Sequence, residues 1–368
     1  MKLTLENVTV RYSDENFCYN AEITSPITGV IGRSGSGKTT LFNAIAGLIR
    51  PESGTITYNG KNLFCSTSGA DVPVNRRKIG VVFQENFLFP HMTVRDNLLY
   101  GKRFSKDRPV IMTLDTVTGL LDLEGLLHRK PFQLSGGERQ RVAIGRALLS
   151  QPELILMDEP FSNLDRNRRR EIISYLLEIN RQYSLPLLVI SHDIEDVLKL
   201  TSSLVIIDEG RITASGSHDA VADDEDAHDV IGYSAYTNII DLLCTGTSDN
   251  GTLLACTPPN SKAGILMKTG RPKTGNTDPV NRMVRFQLSP NDIVLSSSML
   301  PGMSIQNQLK GTITRMHRES GSCFVHADCG IKLVAEITEA TYNRMDIRPG
   351  ADIYCLIKAK ALQTIHVF

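Results

Sequence analysis

The chain has 368 residues, which is long for one domain and suits two, and its 40 lysines and arginines balance 40 aspartates and glutamates. This balance excludes nucleic acid or an anionic membrane surface as the default partner. The seven cysteines lack Cys-x-x-Cys spacing, which argues against a disulfide framework or a zinc site and fits a reducing cytoplasm. The N-terminus lacks the apolar core of a signal peptide, and no apolar run approaches the roughly twenty residues of a membrane helix.

The first predicted elements are short strands. Apolar and polar residues alternate over residues 4–10, a buried strand is predicted at 27–31, and a further strand is predicted at 54–58. We therefore expect a small antiparallel sheet at the start of the chain, beside the core that follows.

A glycine-rich run lies between the strand at 27–31 and a helix predicted at 41–48. It fits the P-loop pattern of Gly, four residues, Gly, Lys and Thr, and it comprises Gly32, Arg33, Ser34, Gly35, Ser36, Gly37, Lys38, Thr39 and Thr40. Glycines let backbone N–H groups turn toward phosphate oxygens, and the following helix N-terminus favours the same negative charge. The run predicts a nucleotide site in which Lys38 reaches the terminal phosphates and Thr39 binds Mg²⁺.

Helical and polar patterns occupy residues 87–131, where Thr93 is a predicted N-cap and Leu114, Val117, Leu120 and Leu121 share one face. We interpret this segment as an inserted helical subdomain. Strands and helices then alternate, which predicts a mainly parallel sheet. These elements are a helix after residue 137, a strand at 154–157, a helix at 168–182, a strand at 187–190 and a strand pair at 204–208 and 211–215.

Two carboxylates, Asp158 and Glu159, follow the apolar strand at 154–157. In a P-loop fold this pair favours hydrolysis over binding alone. We expect Asp158 to support Mg²⁺, and Glu159 to orient or deprotonate the attacking water. A solvated strand end is the alternative interpretation.

The composition changes after an acidic run at 223–226, which we interpret as a solvated linker. Gly, Pro, Ser, Thr and Asn become frequent over 246–281, and strands are predicted at 283–288 and 311–316. The predicted domains are therefore 1–232 and 233–368, the second mostly β.

A second glycine-rich run completes a family resemblance. Residues 134–141, Leu-Ser-Gly-Gly-Glu-Arg-Gln-Arg, resemble the signature motif of ABC-type ATPases, and the likeness covers roughly the first 230 residues. It implies an α/β ABC ATPase fold with ATP and Mg²⁺ as cofactors. The implied roles are Gln84 as the Q-loop glutamine at the catalytic Mg²⁺, Ser162, Asn163, Leu164 and Asp165 as the D-loop, His192 as the switch histidine, and Tyr12 as the aromatic that stacks on adenine. For Tyr12, a packed strand aromatic is the alternative.

The same resemblance implies a head-to-tail homodimer. Ser135, Gly136 and Gly137 stand at a predicted helix N-terminus that suits the γ-phosphate, yet the chain's own P-loop already binds that phosphate. Each ATP is therefore expected between the P-loop of one subunit and the signature serine of the other, with His192 sensing the γ-phosphate.

The resemblance also implies a task for the helical insertion, because this family contacts membrane-spanning partners there. It implies an importer ATPase beneath two permease subunits, peripheral at the cytoplasmic face of the membrane, with an indirect link to a substrate-binding protein. A soluble nucleic-acid-associated ABC ATPase is the alternative, which the short insertion and the balanced charge disfavour.

The end of the chain, about residues 304–368, resembles the small OB-like TOBE/Mop module that binds molybdate in storage proteins, regulators and importer ATPases. The resemblance implies that Ser304, Gln306, Asn307 and Lys358 hold a tetrahedral oxyanion, and it implies import of molybdate or tungstate with feedback through this module. Ile305 and Gln306 replace an arginine common in the storage modules. A module that packs without ligand, an oxyanion-storage module and an importer for another solute such as sulfate are the alternatives.

Overall fold

The computed structural model describes the chain except for residues 13–14, 105–109, 163, 202, 223, 225–226, 228–229, 233–235, 249–252, 259–266, 271–278, 320, 346 and 368. The chain forms two compact units, Met1–Gly232 and Tyr233–Phe368. Within the described part, no helix combines the length and the apolar character needed to span a lipid bilayer.

The first unit is built on a mixed sheet. Its strands are β1 (Leu3–Tyr12), β2 (Glu15–Ile23), β3 (Ile27–Gly32), β4 (Ser53–Tyr58), β5 (Lys61–Cys65), β6 (Ala70–Asp71), β7 (Ile79–Val82), β8 (Leu154–Asp158), β9 (Leu187–Ile190), β10 (Ser203–Asp208) and β11 (Arg211–Ser217). They lie in the order β6-β5-β4-β1-β2-β11-β10-β3-β9-β8-β7. The run from β10 to β7 is parallel, and β1, β2, β4, β5 and β6 pair in antiparallel fashion, so both predicted sheet types are confirmed.

Helices cover the parallel strands. They are α1 (Lys38–Ala46), α2 (Val94–Tyr100), α3 (Leu114–Leu120), α4 (Gly136–Leu149), α5 (Arg166–Tyr183), α6 (Ile194–Leu200) and α7 (His218–Ala222). Every residue of β3 and of β9 is buried, as expected of parallel strands with covered faces. The loops at the carboxyl ends of these buried strands therefore lie directly next to the core of the unit.

The inserted helical segment is confirmed, with α2 and α3 packed against α4. Thr93 caps α2, as predicted, by accepting the backbone N–H of Asp96, and Thr113 caps α3 in the same way. Val117 and Leu121 are buried on the predicted apolar face. Short 3-10 turns at Gly101–Phe104, Glu124–Leu126 and Pro131–Gln133 complete the described segment.

The second unit is mostly β, as predicted. Its strands are β12 (Asn238–Ser248), β13 (Leu253–Thr257), β14 (Met267–Gly270), β15 (Met283–Leu288), β16 (Ile293–Ser296), β17 (Asn307–Glu319), β18 (Ser322–Asp328), β19 (Lys332–Thr338), β20 (Asp352–Ile357) and β21 (Gln363–Val367), with α8 (Glu339–Arg344) after β19. The described strands of this unit form two antiparallel sheets, in the orders β14-β13-β12-β15-β21 and β16-β20-β17-β18-β19, which share one apolar core.

Two buried asparagine side chains link these sheets. Asn238, on β12, accepts the N–H of Val334 at 2.7 Å and donates to the carbonyl of the same residue at 2.9 Å. Asn307, on β17, accepts the N–H of Lys268 at 2.6 Å and donates to its carbonyl at 2.9 Å. Each amide therefore pairs with both backbone groups of one residue in the opposite sheet.

Candidate functional site

Neighbouring parallel strands bring the predicted site residues to one edge of the sheet. β3 ends at Gly32, where the glycine-rich loop begins, and β8 ends at Asp158. His192 lies two residues beyond β9, and the exposed Gln84 lies two residues beyond β7. Because these strands run in the same direction, their carboxyl ends form a common crevice, which is where ligands bind in open α/β sheets.

The glycine-rich loop wraps around the ammonium group of Lys38. Lys38 Nζ donates to the carbonyl oxygens of Gly32 at 2.8 Å and Arg33 at 2.7 Å. Burial lowers the pKa of Lys38, and the nearby carboxylates of Glu159 and Asp158 oppose that shift. The loop thus holds a partly buried cation at the N-terminus of α1.

A glycine is required at position 37. Its φ of +102° is left-handed, and a Cβ there would lie 2.4 Å from Phe17 Cδ1. Tyr19, which is fully buried, donates its hydroxyl to the Gly37 carbonyl at 2.8 Å. Ser36 Oγ is buried and has no hydrogen-bond partner among the described residues. The loop therefore offers an unused hydroxyl as well as helix N-terminal N–H groups, a donor set that fits phosphate.

Thr39 and Asp158 meet, as the sequence predicts for a Mg²⁺ site. Thr39 Oγ1 donates to Asp158 Oδ2 at 2.9 Å. Burial raises the pKa of Asp158, while the Thr39 hydrogen bond and the charge of Lys38 lower it. A hydroxyl and a carboxylate oxygen beside a phosphate-binding loop are the ligand types that Mg²⁺ takes in proteins.

Glu159 and His192 form a second polar pair at this edge. Glu159 Oε2 and His192 Nδ1 are 2.8 Å apart, with the Glu159 side chain 12% exposed and that of His192 71% exposed. Glu159 has a φ of +49°, which a residue other than glycine seldom adopts, and its N–H donates to the Ile190 carbonyl at 3.1 Å. A constrained carboxylate held by an imidazole has the geometry of a general base with its positioning partner.

The second glycine-rich run begins α4, as predicted. Ser135 is the N-cap, and its Oγ accepts the N–H of Glu138 at 3.3 Å while Glu138 Oε2 accepts the N–H of Ser135 at 2.6 Å. That second bond lowers the pKa of Glu138. Gly136 and Gly137 form the first turn. An open pocket of about 130 Å³ is lined by Ser135, Gly137, Glu138, Arg141, Arg168, Glu171 and Ile172.

The remaining candidate residues of the first unit are spread around these pairs. Asp165 caps α5 by accepting the N–H groups of Asn167 and Arg168. Ser34 is exposed, Arg33 Nη1 lies 4.0 Å from Asp208 Oδ2, and Thr40 is in the first turn of α1. Asn163 lies outside the described residues. Tyr12 ends β1, and its side chain also lies outside the described part.

Sequence reasoning missed two residues whose side chains contact segments that carry this site: Tyr19, which donates to Gly37, and Arg169, whose Nη1 donates to Asp193 Oδ2 beside His192. No pattern distinguishes Tyr19 from any other strand aromatic. Arg169 had a signal, because the first turn of α5 holds arginines and no acidic residue. Cations are unfavourable at a helix N-terminus, so arginines there call for a specific partner.

The predicted oxyanion residues cluster only in part. Ser304 and Gln306 are exposed just before β17, and the exposed Lys358 follows β20, whose Ile357 pairs with Asn307. Asn307 is expected to help hold the oxyanion, but its buried amide bonds to the Lys268 backbone instead. The structure therefore gives Asn307 a role in packing.

The fold and the site define a P-loop ATPase of the ATP-binding cassette class. The ABC transporter family model matches residues 23–162, and the TOBE domain model matches residues 303–363. The chain is 37% identical to the molybdenum import ATP-binding protein ModC of Rhizobium etli, over 94% of this chain and 96% of that protein. It is 34% identical to the protein of the same name from Vibrio parahaemolyticus, over 90% and 89%. The chain belongs to the ABC transporter family of ATP-binding proteins.

Solved structures agree with this assignment. One is a dimeric post-hydrolysis state of an ATP-binding cassette bound to ADP and Pi, with a TM-score of 0.50 and 27% identity, over 58% of this chain and 98% of that one. Another is cbiO1 from Clostridium perfringens, part of the ABC transporter complex cbiONQ, with a TM-score of 0.51 and 27% identity, over 63% and 91%.

Proposed function

We propose that this chain is the ATP-hydrolysing subunit of a molybdate importer. The observation that carries the proposal is the meeting of the Lys38 loop, the Thr39–Asp158 pair and the Glu159–His192 pair at one sheet edge. The substrate follows from the relatives, whose names specify molybdenum import and which the chain matches over most of its length.

Each pair at the sheet edge has its own task in hydrolysis. Lys38, Ser36 and the loop N–H groups bind the phosphates of ATP. Thr39 and Asp158, with Gln84, would hold Mg²⁺, which neutralises phosphate charge when bound. Glu159 accepts a proton from the attacking water, and His192 holds the Glu159 carboxylate in place.

A second copy of the chain completes the site in this proposal. Ser135 stands at the N-terminus of the 14-residue helix α4, where N–H groups and the helix dipole favour an anion. The dimeric solved cassette bound to ADP and Pi supports a two-subunit arrangement. In it, Ser135, Gly136, Gly137 and Asp165 face the nucleotide held by the P-loop of the other copy.

The helical segment is the proposed contact with two permease subunits at the cytoplasmic face of the membrane. Phe87 is 56% exposed and Phe132 is 74% exposed, at the two ends of this segment. Aromatic residues are enriched at protein–protein interfaces relative to the rest of the surface. The connection to the substrate-binding protein then passes through the permease.

The proposed oxyanion site is formed by Ser304, Gln306 and Lys358. Calorimetry of the full chain with molybdate, tungstate and sulfate tests it, with Lys358→Ala as the variant. A heat of molybdate binding that is absent from the variant supports the site, which the proposed feedback requires. No heat from any of the three anions supports a module that packs without ligand, and equal heats from all three contradict selectivity for molybdate.

ATP hydrolysis is tested with two variants, one expected to lose turnover and the other expected to lose affinity for ATP. Glu159→Gln should bind ATP with wild-type affinity and lose most turnover, because the phosphate-binding groups stay intact while the base is removed. Lys38→Ala should lose ATP affinity instead. Phosphate release and nucleotide binding measure both, and co-purification with a membrane permease tests the transport role. Wild-type turnover by Glu159→Gln would contradict the assignment.

A further inference from the structure

Arg169, in the first turn of α5, joins three segments around the catalytic edge. Its Nε donates to the carbonyl of Leu164 at 3.0 Å, and its Nη1 donates to Asp193 Oδ2 and Asp196 Oδ2, both at 2.9 Å. Asp193 directly follows His192 and is the N-cap of α6, where it accepts the N–H of Asp196 at 3.3 Å. One guanidinium therefore contacts the residue before Asp165 and the residue after His192.

These contacts are built to hold a fixed geometry. The Asp196 side chain is 4% exposed and also accepts Lys199 Nζ at 2.7 Å, so it is a buried anion between two cations. The Arg169 side chain is 34% exposed. Arginine presents several donors in a rigid planar fork, which a lysine ammonium cannot reproduce. Because the N-terminus of a helix disfavours a cation, the specific contacts of Arg169 explain why an arginine is tolerated there.

We propose that Arg169 is a positioning residue for His192 during ATP hydrolysis, an inference that rests on the proposed function. By fixing Asp193, the guanidinium fixes the backbone beside His192 and keeps the imidazole 2.8 Å from the Glu159 carboxylate. Through the Leu164 carbonyl it also ties His192 to the segment that precedes Asp165. A displacement of that segment is therefore passed to the Glu159–His192 pair.

Kinetics of the full chain test the inference first. Arg169→Gln should lower kcat by about tenfold to hundredfold, since a misplacement of about 1 Å in an active site can cost on the order of hundredfold. The Kd for ATP should stay unchanged, because the phosphate-binding groups are separate. Arg169→Lys should recover only part of kcat. The matched control is Arg170→Gln, which removes the same charge from an exposed neighbour on the same helix and should leave kcat unchanged.

A second readout separates positioning from general destabilisation. In full-length protein labelled with ¹⁵N-histidine, the His192 resonance is assigned by its absence in His192→Ala. Arg169→Gln should shift this resonance, whereas Arg170→Gln should not. If Arg169→Gln does not fold, Asp193→Asn replaces it, because it weakens the same contact from the other side.

The outcomes distinguish this inference from the proposed function. A wild-type chain without ATPase activity would overturn both. An active wild type with Arg169→Gln within twofold of it would overturn the inference alone. A lower kcat with an unmoved His192 resonance, or a moved resonance with unchanged kcat, would also overturn it. Loss of kcat together with a shifted His192 resonance supports it.

Discussion

Replacing Tyr19 with phenylalanine removes one buried hydroxyl beneath the P-loop. The Gly37 carbonyl, which accepts this hydroxyl at 2.8 Å, also accepts the N–H of Leu41 at 2.9 Å. The carbonyl therefore keeps one partner in the variant. Because a neutral hydrogen bond contributes about 0.5–1.5 kcal/mol net, we expect Tyr19→Phe to lower the free energy of unfolding by about 1 kcal/mol.

The lost hydrogen bond also limits how far ATP binding can weaken. Gly37 precedes Lys38, so a looser loop should reduce the free energy of phosphate binding by no more than the free energy of the lost hydrogen bond. A free energy of about 1 kcal/mol corresponds to a rise in the Kd for ATP of no more than about fivefold. At saturating ATP, kcat should be unchanged because the Glu159–His192 pair is untouched.

Tyr58→Phe is the matched control for this experiment. Tyr58 is also buried, and its hydroxyl donates to the carbonyl of Glu153 at 2.7 Å, a contact that involves no residue of the P-loop. Urea unfolding of the first unit should show a similar loss for both variants, whereas calorimetry should show weaker ATP binding for Tyr19→Phe only. Equal ATP affinity in the two variants would refute the claim that Tyr19 supports the loop.

Three further predictions concern other contacts. Thr39→Val should weaken the apparent Mg²⁺ affinity in an ATPase titration, and Thr39→Ser should restore it; an unchanged Mg²⁺ dependence would contradict the metal role. Asn238→Leu should lower the free energy of unfolding of the second unit by about 2–4 kcal/mol, because it leaves both backbone groups of Val334 without their partner. Chemical denaturation measures this loss, and as a control the affinity for ATP should stay unchanged. Glu138→Gln should be less stable than wild type at neutral pH. This difference should disappear as the pH falls through the lowered pKa of Glu138, because a carboxyl group with a depressed pKa stabilises the fold only while it is ionised. Melting curves at a series of pH values measure it, and a difference that persists in acid would argue against this capping bond.

Local motifs made most of the catalytic edge predictable. The Lys38 loop and the Asp158–Glu159 pair each lie within a few residues of sequence, and flanking apolar strands fix their placement. Their meeting follows from parallel strand order, which alternating strands and helices indicate. The hydrogen bond from Tyr19 to Gly37 and the contact of Arg169 with Asp193 depend on how distant segments pack. The arginines in the first turn of α5 indicate that a partner is needed, but no local pattern identifies that partner.

Asn307 shows the opposite case, in which a motif is present but tertiary structure gives the residue another task. Its place before a β-strand, near Ser304 and Gln306, resembles a ligand-binding run. The structure buries Asn307 against Lys268 because an inward-facing amide must satisfy its donors and acceptor within the protein. Sequence pattern identifies polar residue types, but only burial decides which partner they take.

The contacts of Asn238 and Asn307 also affect how readily the second unit associates with other chains. Val334 lies on β19 and Lys268 on β14, and among the strands that the structure describes these two are the outermost members of their sheets. Outermost strands present unpaired N–H and C=O groups that invite strand addition by another chain, the starting point of aggregation. The amides of Asn238 and Asn307 occupy such groups at one position on each strand, so the second unit uses its own side chains to block intermolecular β-pairing there.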